Sequence, residues 1–334
     1  MKLSARLLYR LRAIAAILCV PALAFVMTAC AGAGDSGGQG AAGAWKPTRA
    51  VTFLVPGNPG GGGDLLFRNL QQFMKDKHPD VKTEVVNRPG AGTAVAYTEL
   101  KGENGNPHIL SLLFSGLITL PIDQKVAYSW TDFTPIAITE LDTQFLVAKA
   151  DASWKDFDGY ADHARQKGAM NVGVAGASSR SDISSRQVAD KIGVKYNPVY
   201  LQSGGDIMRA LLAGDIDIAS LSSQEFIGQL QSGDVAAQLT LSDKVVPIAP
   251  LDKIPTAKDV LGITPDGVDF KGIMTAGGLS PAEKAYWEDV AKEWSASATY
   301  DKHVKTSLLL KNVLLGDKAT QYLKTFEDNY QATK

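Results

Sequence analysis

Hydrophobic and polar positions along this chain alternate between a strand pattern and a helix pattern. One amphipathic helix places Leu66, Leu70, Phe73 and Met74 on a single face. Strands followed by helices in this way are typical of an α/β sheet covered on both faces. Short apolar runs predict strands at 51–55, 83–86, 109–114, 145–149, 171–175, 199–201, 216–221 and 236–241.

Capping residues define several helix ends. Asp64 is a candidate N-cap for the first helix, and the segment Ser280-Pro281-Ala282-Glu283 predicts a capping box with proline at the first helical position. The helix after that box carries an apolar stripe, and a last helix carries another. The stripes are Tyr286, Trp287, Val290 and Trp294, then Tyr322, Leu323 and Phe326.

The N-terminal segment has the pattern of a lipoprotein signal peptide. Residues 1–29 contain four basic residues and then an apolar stretch over 13–26, and Cys30 follows. We expect cleavage before Cys30 and lipidation of that residue; cleavage near Ala31 or Ala33, with Cys30 an ordinary thiol, is the alternative. Residues 30–44 are rich in Gly and Ala and predict a flexible tether, so that folded structure begins near Trp45.

Composition narrows the function classes. The 334 residues are 45% hydrophobic and 21% charged, which suits two soluble α/β domains. The leader holds four of the 34 basic residues and none of the 35 acidic ones, so the mature chain has a net charge of −5. That balance argues against nucleic acid as a partner, and an anionic ligand would have to be attracted by local dipoles. Cys19 lies in the predicted signal peptide and would be removed with it, so Cys30 has no partner for an internal disulfide.

Three glycine- or serine-rich loops each follow a predicted strand and precede a predicted helix. They are Gly60–Gly63 before Asp64, residues 176–182, and residues 202–206. Ligands bind at this edge of open α/β sheets, where helix N-termini offer unpaired N–H groups and a partial positive charge. The sequence therefore predicts that the loops line one polar pocket suited to an anion.

Enzyme chemistry finds little support. A P-loop requires a lysine and a hydroxyl residue directly after its last glycine, and neither follows Gly63. The sequence also contains neither a zinc-protease motif nor a nucleophile elbow. The histidines are scattered at His78, His108, His163 and His303. We expect no catalytic residues, no metal and no cofactor. An exported enzyme that uses the four-glycine loop for a phosphorylated substrate remains the alternative.

Four segments resemble the substrate-binding proteins of tripartite tricarboxylate transporters. The most specific is Asn87-Arg88-Pro89-Gly90-Ala91-Gly92. The others are residues 51–64, 132–137, and 200–217, and the matches run in order from about residue 50 to 325.

This resemblance implies a two-lobed periplasmic-binding-protein fold of type II-like form, with mostly parallel sheets flanked by helices and a ligand cleft between the lobes. Lobe 1 would comprise residues 45–147 and 243–334, and lobe 2 residues 148–242. The protein would be a monomeric solute-binding lipoprotein on the outer face of the cytoplasmic membrane. It would capture a small organic carboxylate and deliver it to one large and one small permease subunit. A sensor that reports ligand occupancy to a signalling system would share the same pocket.

The resemblance also implies a set of ligand-binding residues. Arg180 is the one cation in a candidate loop; it would either pair with a second carboxylate or be an ordinary solvated loop arginine. Asp64 would either contact the ligand or act only as a helix cap. Gly57, Gly63 and the pair Leu201-Gln202 depart from the family pattern, which leaves the ligand open and permits a larger or less charged one. The implied residues are Pro59, Gly60, Gly61, Asp64, Gly92, Thr93, Ser115, Gly116, Gly176, Ser178, Ser179, Arg180, Ser203, Gly204 and Gly205.

Overall fold

The structure, a computed structural model, describes residues 45–332. The predicted signal peptide, Cys30 and the tether lie outside these residues. The strands are β1 (Val51–Val55), β2 (Thr83–Asn87), β3 (Ile109–Phe114), β4 (Phe133–Lys149), β5 (Ala169–Val174), β6 (Lys195–Tyr200), β7 (Ile218–Ser222), β8 (Val235–Thr240), β9 (Val268–Ala276) and β10 (Leu310–Leu315). The helices are α1 (Gly62–Lys77), α2 (Ala94–Gly102), α3 (Gly116–Asp123), α4 (Phe157–Lys167), α5 (Arg180–Ile192), α6 (Gly204–Ala213), α7 (Ser223–Ser232), α8 (Ala257–Leu261), α9 (Pro281–Ser295), α10 (Ala298–Ser307) and α11 (Asp317–Gln331).

The strands follow the order β2-β1-β3-β9-β4-β7-β5-β6, and β4 also pairs with β8 and β10. The 17-residue β4 belongs to two sections of sheet. Its first part pairs with β9 and β10, and its last part pairs with β7 and β8. The pairing changes where Thr143 opposes Val268 and Gln144 opposes Ser222. We call the part with β1, β2, β3, β9 and β10 the first section, and the part with β5, β6, β7 and β8 the second section.

The α/β, two-lobed fold predicted from the sequence is confirmed, but its sheet is mixed rather than mostly parallel. Parallel pairing occurs between β1 and its neighbours β2 and β3, and between β5 and its neighbours β6 and β7. Helical crossovers join those strands. By contrast, β9 enters between β3 and β4 and runs antiparallel to both. Strands β9 and β10 and the first part of β4 were not among the predicted strands, which is why the parallel character was overstated.

Both faces of each section are covered by apolar residues. Successive residues on a strand point to opposite faces, and Phe53 and Leu54 accordingly enter two different hydrophobic clusters. In the second section, Phe145 and Leu146 likewise point to opposite faces and belong to two different hydrophobic clusters. This double coverage explains why the strands appear as continuous apolar runs in the sequence.

The connection between β8 and β9 packs on the second section. Val246, Leu251 and Ile254 lie in the same cluster as Phe145, and Ala257 lies in the cluster of Leu146. The chain rejoins the first section at Val268.

The helix ends largely follow the sequence. The capping box at Ser280 is formed, and α5 and α6 end at Gly193 and Gly214 in the left-handed conformation. The N-cap of α1 is Gly61, not Asp64, which lies in the first turn instead. No helix among residues 45–332 combines the length and apolar character that a bilayer span needs.

Candidate ligand-binding site

A cavity lies where the loops after β1, β5 and β6 face the middle of β4 and β9. Seven of the residues implied by the sequence line it: Gly61, Asp64, Thr93, Ser179, Arg180, Ser203 and Gly204. Eight others do not: Pro59, Gly60, Gly92, Ser115, Gly116, Gly176, Ser178 and Gly205. The three loops therefore meet at one cavity, while contact with a ligand stays a prediction for each residue.

Several backbone N–H groups of these loops already have partners within the protein. The N–H of Gly60 donates to Asp64 Oδ2 at 2.9 Å, and the N–H of Ser178 donates to Asp182 Oδ2 at 2.9 Å. At the start of α6, Ser203 Oγ accepts the N–H of Asp206 at 3.2 Å. Short polar side chains thus bond to N–H groups in the first turn of a helix and in the loops just before helices. The loops offer fewer free donors to an anion than the sequence suggested.

Glu225, which no sequence pattern had marked as a site residue, brings three helix N-termini together. It is the third residue of α7 and closes a capping box by accepting the N–H of Ser222 at 3.0 Å. Its carboxylate also accepts the backbone N–H groups of Gly62 and Gly204, at the starts of α1 and α6. Burial raises the pKa of the Glu225 carboxyl, and these hydrogen bonds oppose that rise.

The floor of the cavity is formed by polar residues on β4 and β9. Asp142 opposes Asp269 directly across this antiparallel pair, and Gln144 and Lys271 lie two residues further along their strands. Lys271 Nζ forms an ion pair with Asp142 Oδ2, which also accepts Gln224 Nε2 at 3.3 Å. Asp142 Oδ1 is buried and has no hydrogen-bond partner among the described residues. Burial lowers the pKa of Lys271 to about 8, although the negative charge of Glu140 acts in the opposite direction.

Asp269 and Arg180 lie at the other side of the floor. Asp269 Oδ1 accepts the N–H groups of Ser115 at 3.0 Å and of Phe270 at 2.7 Å. Burial raises the pKa of Asp269, and the positive charge of Arg180 opposes the rise. Arg180 is only 4% exposed and its guanidinium carbon lies 4.4 Å from the centre of the Phe326 ring. Its Nε is buried without a hydrogen-bond partner in the described part of the chain.

The cavity is rich in acidic groups. Its lining contains two cations, Arg180 and Lys271, against four carboxylates: Asp64, Asp142, Glu225 and Asp269. Within residues 45–332 no group of three His, Cys, Asp or Glu side chains is arranged to hold a metal ion.

A signal for the missed floor residues does exist in the sequence. Glu140, Asp142 and Gln144 alternate with other residues just before the apolar run that begins at Phe145, and Asp269 and Lys271 flank Phe270. Charged groups with a period of two inside an apolar strand indicate a polar stripe on one face. Because the two strands that pair here are far apart in sequence, the stripe could not be assigned to a cavity beforehand.

Two sheet sections with loops and floor strands around one cavity define a solute-binding protein of the periplasmic type. Residues 66–269 match the family described as "Tripartite tricarboxylate transporter family receptor". The chain belongs to this family, as the sequence motifs had indicated.

Relatives with known structures share the fold at low sequence identity. A TctC solute-binding protein from Polaromonas is 23% identical, with 86% of this chain and 98% of that chain covered and a TM-score of 0.60. MatC from Rhodopseudomonas palustris with bound malate is 23% identical over 79% of this chain and 90% of that one, with a TM-score of 0.71. An adipate-bound protein from R. palustris is 16% identical over 86% and 96%, with a TM-score of 0.79.

One curated relative also matches. It is the "UPF0065 protein in tcbD-tcbE intergenic region" of Pseudomonas sp. strain P51, 26% identical over 188 residues. The match covers 53% of this chain and 54% of the relative, so the chain spans about half the length of that protein. The matched family is described as a receptor and the Polaromonas protein as a solute-binding protein, neither of them as an enzyme.

Proposed function

We propose that this protein is an extracytoplasmic receptor that captures a small organic carboxylate in the cavity and delivers it to a tripartite transporter. The permease would comprise one large and one small membrane subunit. The observation that carries the proposal is Arg180, a buried cation that lines the cavity with an unpartnered Nε among the described residues.

A buried donor without a partner costs about 1–3 kcal/mol, and a ligand oxygen would remove that cost. Hydrogen bonds between guanidinium and carboxylate are among the stronger ones in proteins. The ring of Phe326 holds the guanidinium in place, so little side-chain freedom is lost on binding. Malate and adipate, found in two proteins of similar fold, are both carboxylates.

Closure of two lobes over the ligand would provide the conformational change that the permease recognises. The family resemblance implies a lobe 2 at residues 148–242. The packing of Val246, Leu251 and Ile254 on the second section supports extending that lobe to about residue 267. The chain would then cross between lobes within β4 and again just before β9.

Export and anchoring complete the proposal. A signal peptide over residues 1–29 would direct secretion, and a lipid on Cys30 would hold the monomer at the outer face of the cytoplasmic membrane. The tether over residues 30–44 would let the folded part reach the permease.

The test is a binding titration of the mature protein with malate, adipate, succinate and citrate, and with phosphorylated metabolites as the competing class. We expect a carboxylate to bind, and Arg180→Gln to weaken that binding by about tenfold to a hundredfold, as for other charged hydrogen bonds. Arg165→Gln is the matched control, because Arg165 is half exposed, does not line the cavity, and bonds to Asp162 and to the backbone carbonyl of Ile192. Binding of phosphorylated compounds alone, or equal affinities for both variants, would contradict the proposal.

A further inference from the structure

We propose that the ligand is a small zwitterion, whose carboxylate faces Arg180 and whose positively charged nitrogen faces Asp142 on the cavity floor. The inference rests on the proposed receptor function and adds the chemical class of the ligand. It arises from an acceptor atom and a donor atom that are both buried, both lack a partner among the described residues, and belong to two residues that line one cavity.

The acceptor is Asp142 Oδ1. Asp142 is 1% exposed, and only its other oxygen is used, by Lys271 and Gln224. A buried carboxylate oxygen without a donor is costly, and a protonated nitrogen would supply the missing donor, whereas a quaternary nitrogen would offer only its charge. Lys271 bonds to Oδ2 and leaves Oδ1 without a donor among the described residues.

The donor end is Arg180, and Asp269 is a neighbour of both ends. Asp269 opposes Asp142 across the β4–β9 pair, where side chains of directly opposed residues lie about 5 Å apart. Asp269 also interacts electrostatically with Arg180, whose positive charge opposes the rise in pKa that burial causes at the Asp269 carboxyl. A molecule of amino-acid size therefore spans the acceptor and donor ends.

The remaining charges favour a ligand with no net charge. Four carboxylates and two cations line the cavity, so a dicarboxylate would add two negative charges to an acidic enclosure. Interactions between charges are strong where water is excluded, and an unpaired buried charge is expensive. A zwitterion supplies one charge of each sign and leaves the balance unchanged.

Glu225 removes the place where a second ligand carboxylate would bind. The N-termini of α1 and α6 are the sites that the family resemblance assigns to a ligand anion. Here the N–H groups of Gly62 and Gly204 are bonded to Glu225. A second carboxylate at this position would meet a carboxylate of the protein instead of free donors.

The experiment compares ligands that share a carbon chain. The titration uses 4-aminobutyrate, glutarate and butyrate as one matched set, then 5-aminopentanoate, adipate and pentanoate, with alanine, malate and glycine betaine added. We expect the tightest ligand to be a zwitterion, with an affinity about tenfold or more above that of its dicarboxylate counterpart, which corresponds to one charged hydrogen bond.

The variant Asp142→Asn then tests the residue. We expect it to weaken zwitterion binding about tenfold, because it removes one charged hydrogen bond to the ligand nitrogen. Dicarboxylate binding should be unchanged or tighter, because a dicarboxylate makes no such bond. Asp301→Asn, which removes a surface carboxylate paired with Lys311, is the control of equal charge change. If Asp142→Asn does not fold, the ranking of matched ligands by the wild-type protein decides the question.

The outcomes separate the two proposals. Tighter binding of glutarate, adipate or malate than of every amino compound overturns the zwitterion assignment and leaves the carboxylate receptor standing. An unchanged zwitterion affinity in folded Asp142→Asn also overturns it. If no compound with a carboxylate binds, the receptor proposal itself fails, and the inference fails with it.

Discussion

Glu225 occupies the space directly in front of Gly204, and its carboxylate accepts the backbone N–H of that glycine. A β-carbon on residue 204 would overlap both the Cδ and an oxygen of Glu225. The close approach of Glu225 therefore leaves no room for a side chain at residue 204. Substitution there disturbs Glu225 before it affects any ligand.

We expect Gly204→Ala to lower the free energy of unfolding by about 2 kcal/mol, since overpacking of an enclosed position costs about 1–3 kcal/mol. The measurement is thermal unfolding of the ligand-free protein. The neighbouring Gly205→Ala is the control, because the nearest atoms to its added β-carbon lie 3.8 and 3.9 Å away. It should match or exceed the wild-type stability, as alanine favours helix. Equal losses for both variants would show that the contact with Glu225 is not responsible.

Asp269 should make stability depend on pH. Burial raises the pKa of this carboxyl above its ordinary value of 3.8, so between these two pKa values the folded protein holds a proton that the unfolded chain has released. The stabilisation associated with this proton is complete below about pH 4 and is lost as the pH rises through the folded pKa. The unfolding temperature of the wild type relative to Asp269→Asn should therefore be higher near pH 4 than at neutral pH. A difference independent of pH would contradict this assignment.

Asp64 should contribute more to stability than its partner Arg68. Asp64 Oδ2 accepts the N–H of Gly60 at 2.9 Å and Arg68 Nε at 2.7 Å, and Asp64 is 2% exposed. We expect Asp64→Ala to cost about 2 kcal/mol, because it leaves a turn N–H unpaired. Arg68→Ala should cost under about 1 kcal/mol, since the Arg68 side chain is half exposed and water replaces it. Chemical denaturation measures both; equal costs would indicate that the ion pair alone matters.

The proposed anchor at Cys30 should determine the cell fraction in which the protein is found. Wild-type protein should sediment with membranes, and the mature chain should begin with a lipid-modified Cys30. Cys30→Ser should release it to the soluble extracytoplasmic fraction, because one hydroxyl cannot carry the thioether-linked lipid. Intact-mass analysis of the purified protein checks the modification. An unmodified N-terminus at Ala31 or beyond would instead support the alternative cleavage site.

The parts of the fold that depend on neighbouring residues could be predicted from the sequence. The run at Val51–Val55 predicted β1 with its observed ends. The glycine turn after it and the stripe through Leu66 and Phe73 predicted α1, whose N-cap is Gly61 and not Asp64. The same local signals placed Arg180 and Ser203 in loops that do reach the cavity. Family resemblance extended this to the two-lobed fold.

The floor could not be predicted because it depends on distant pairing. Asp142 and Lys271 are 129 residues apart, and they meet only because β9 returns between β3 and β4. Glu225 carried the capping-box signal with Ser222, but nothing in the sequence showed that two other helices also begin at its carboxylate. Helix N-termini therefore looked open in the sequence and are occupied in the structure.

The 17-residue strand β4 links ligand choice to mechanics. Its pairing partners change at Thr143 and Gln144, and both Asp142 and Gln144 line the cavity. Any rotation of one sheet section against the other must twist the backbone at these residues. Substitutions of the floor residues on β4 that adapt the cavity to a new solute would therefore also change how easily the backbone twists at Thr143 and Gln144. Loop residues such as Ser179 and Gln202 carry no such coupling, so they offer the freer route by which evolution could change specificity.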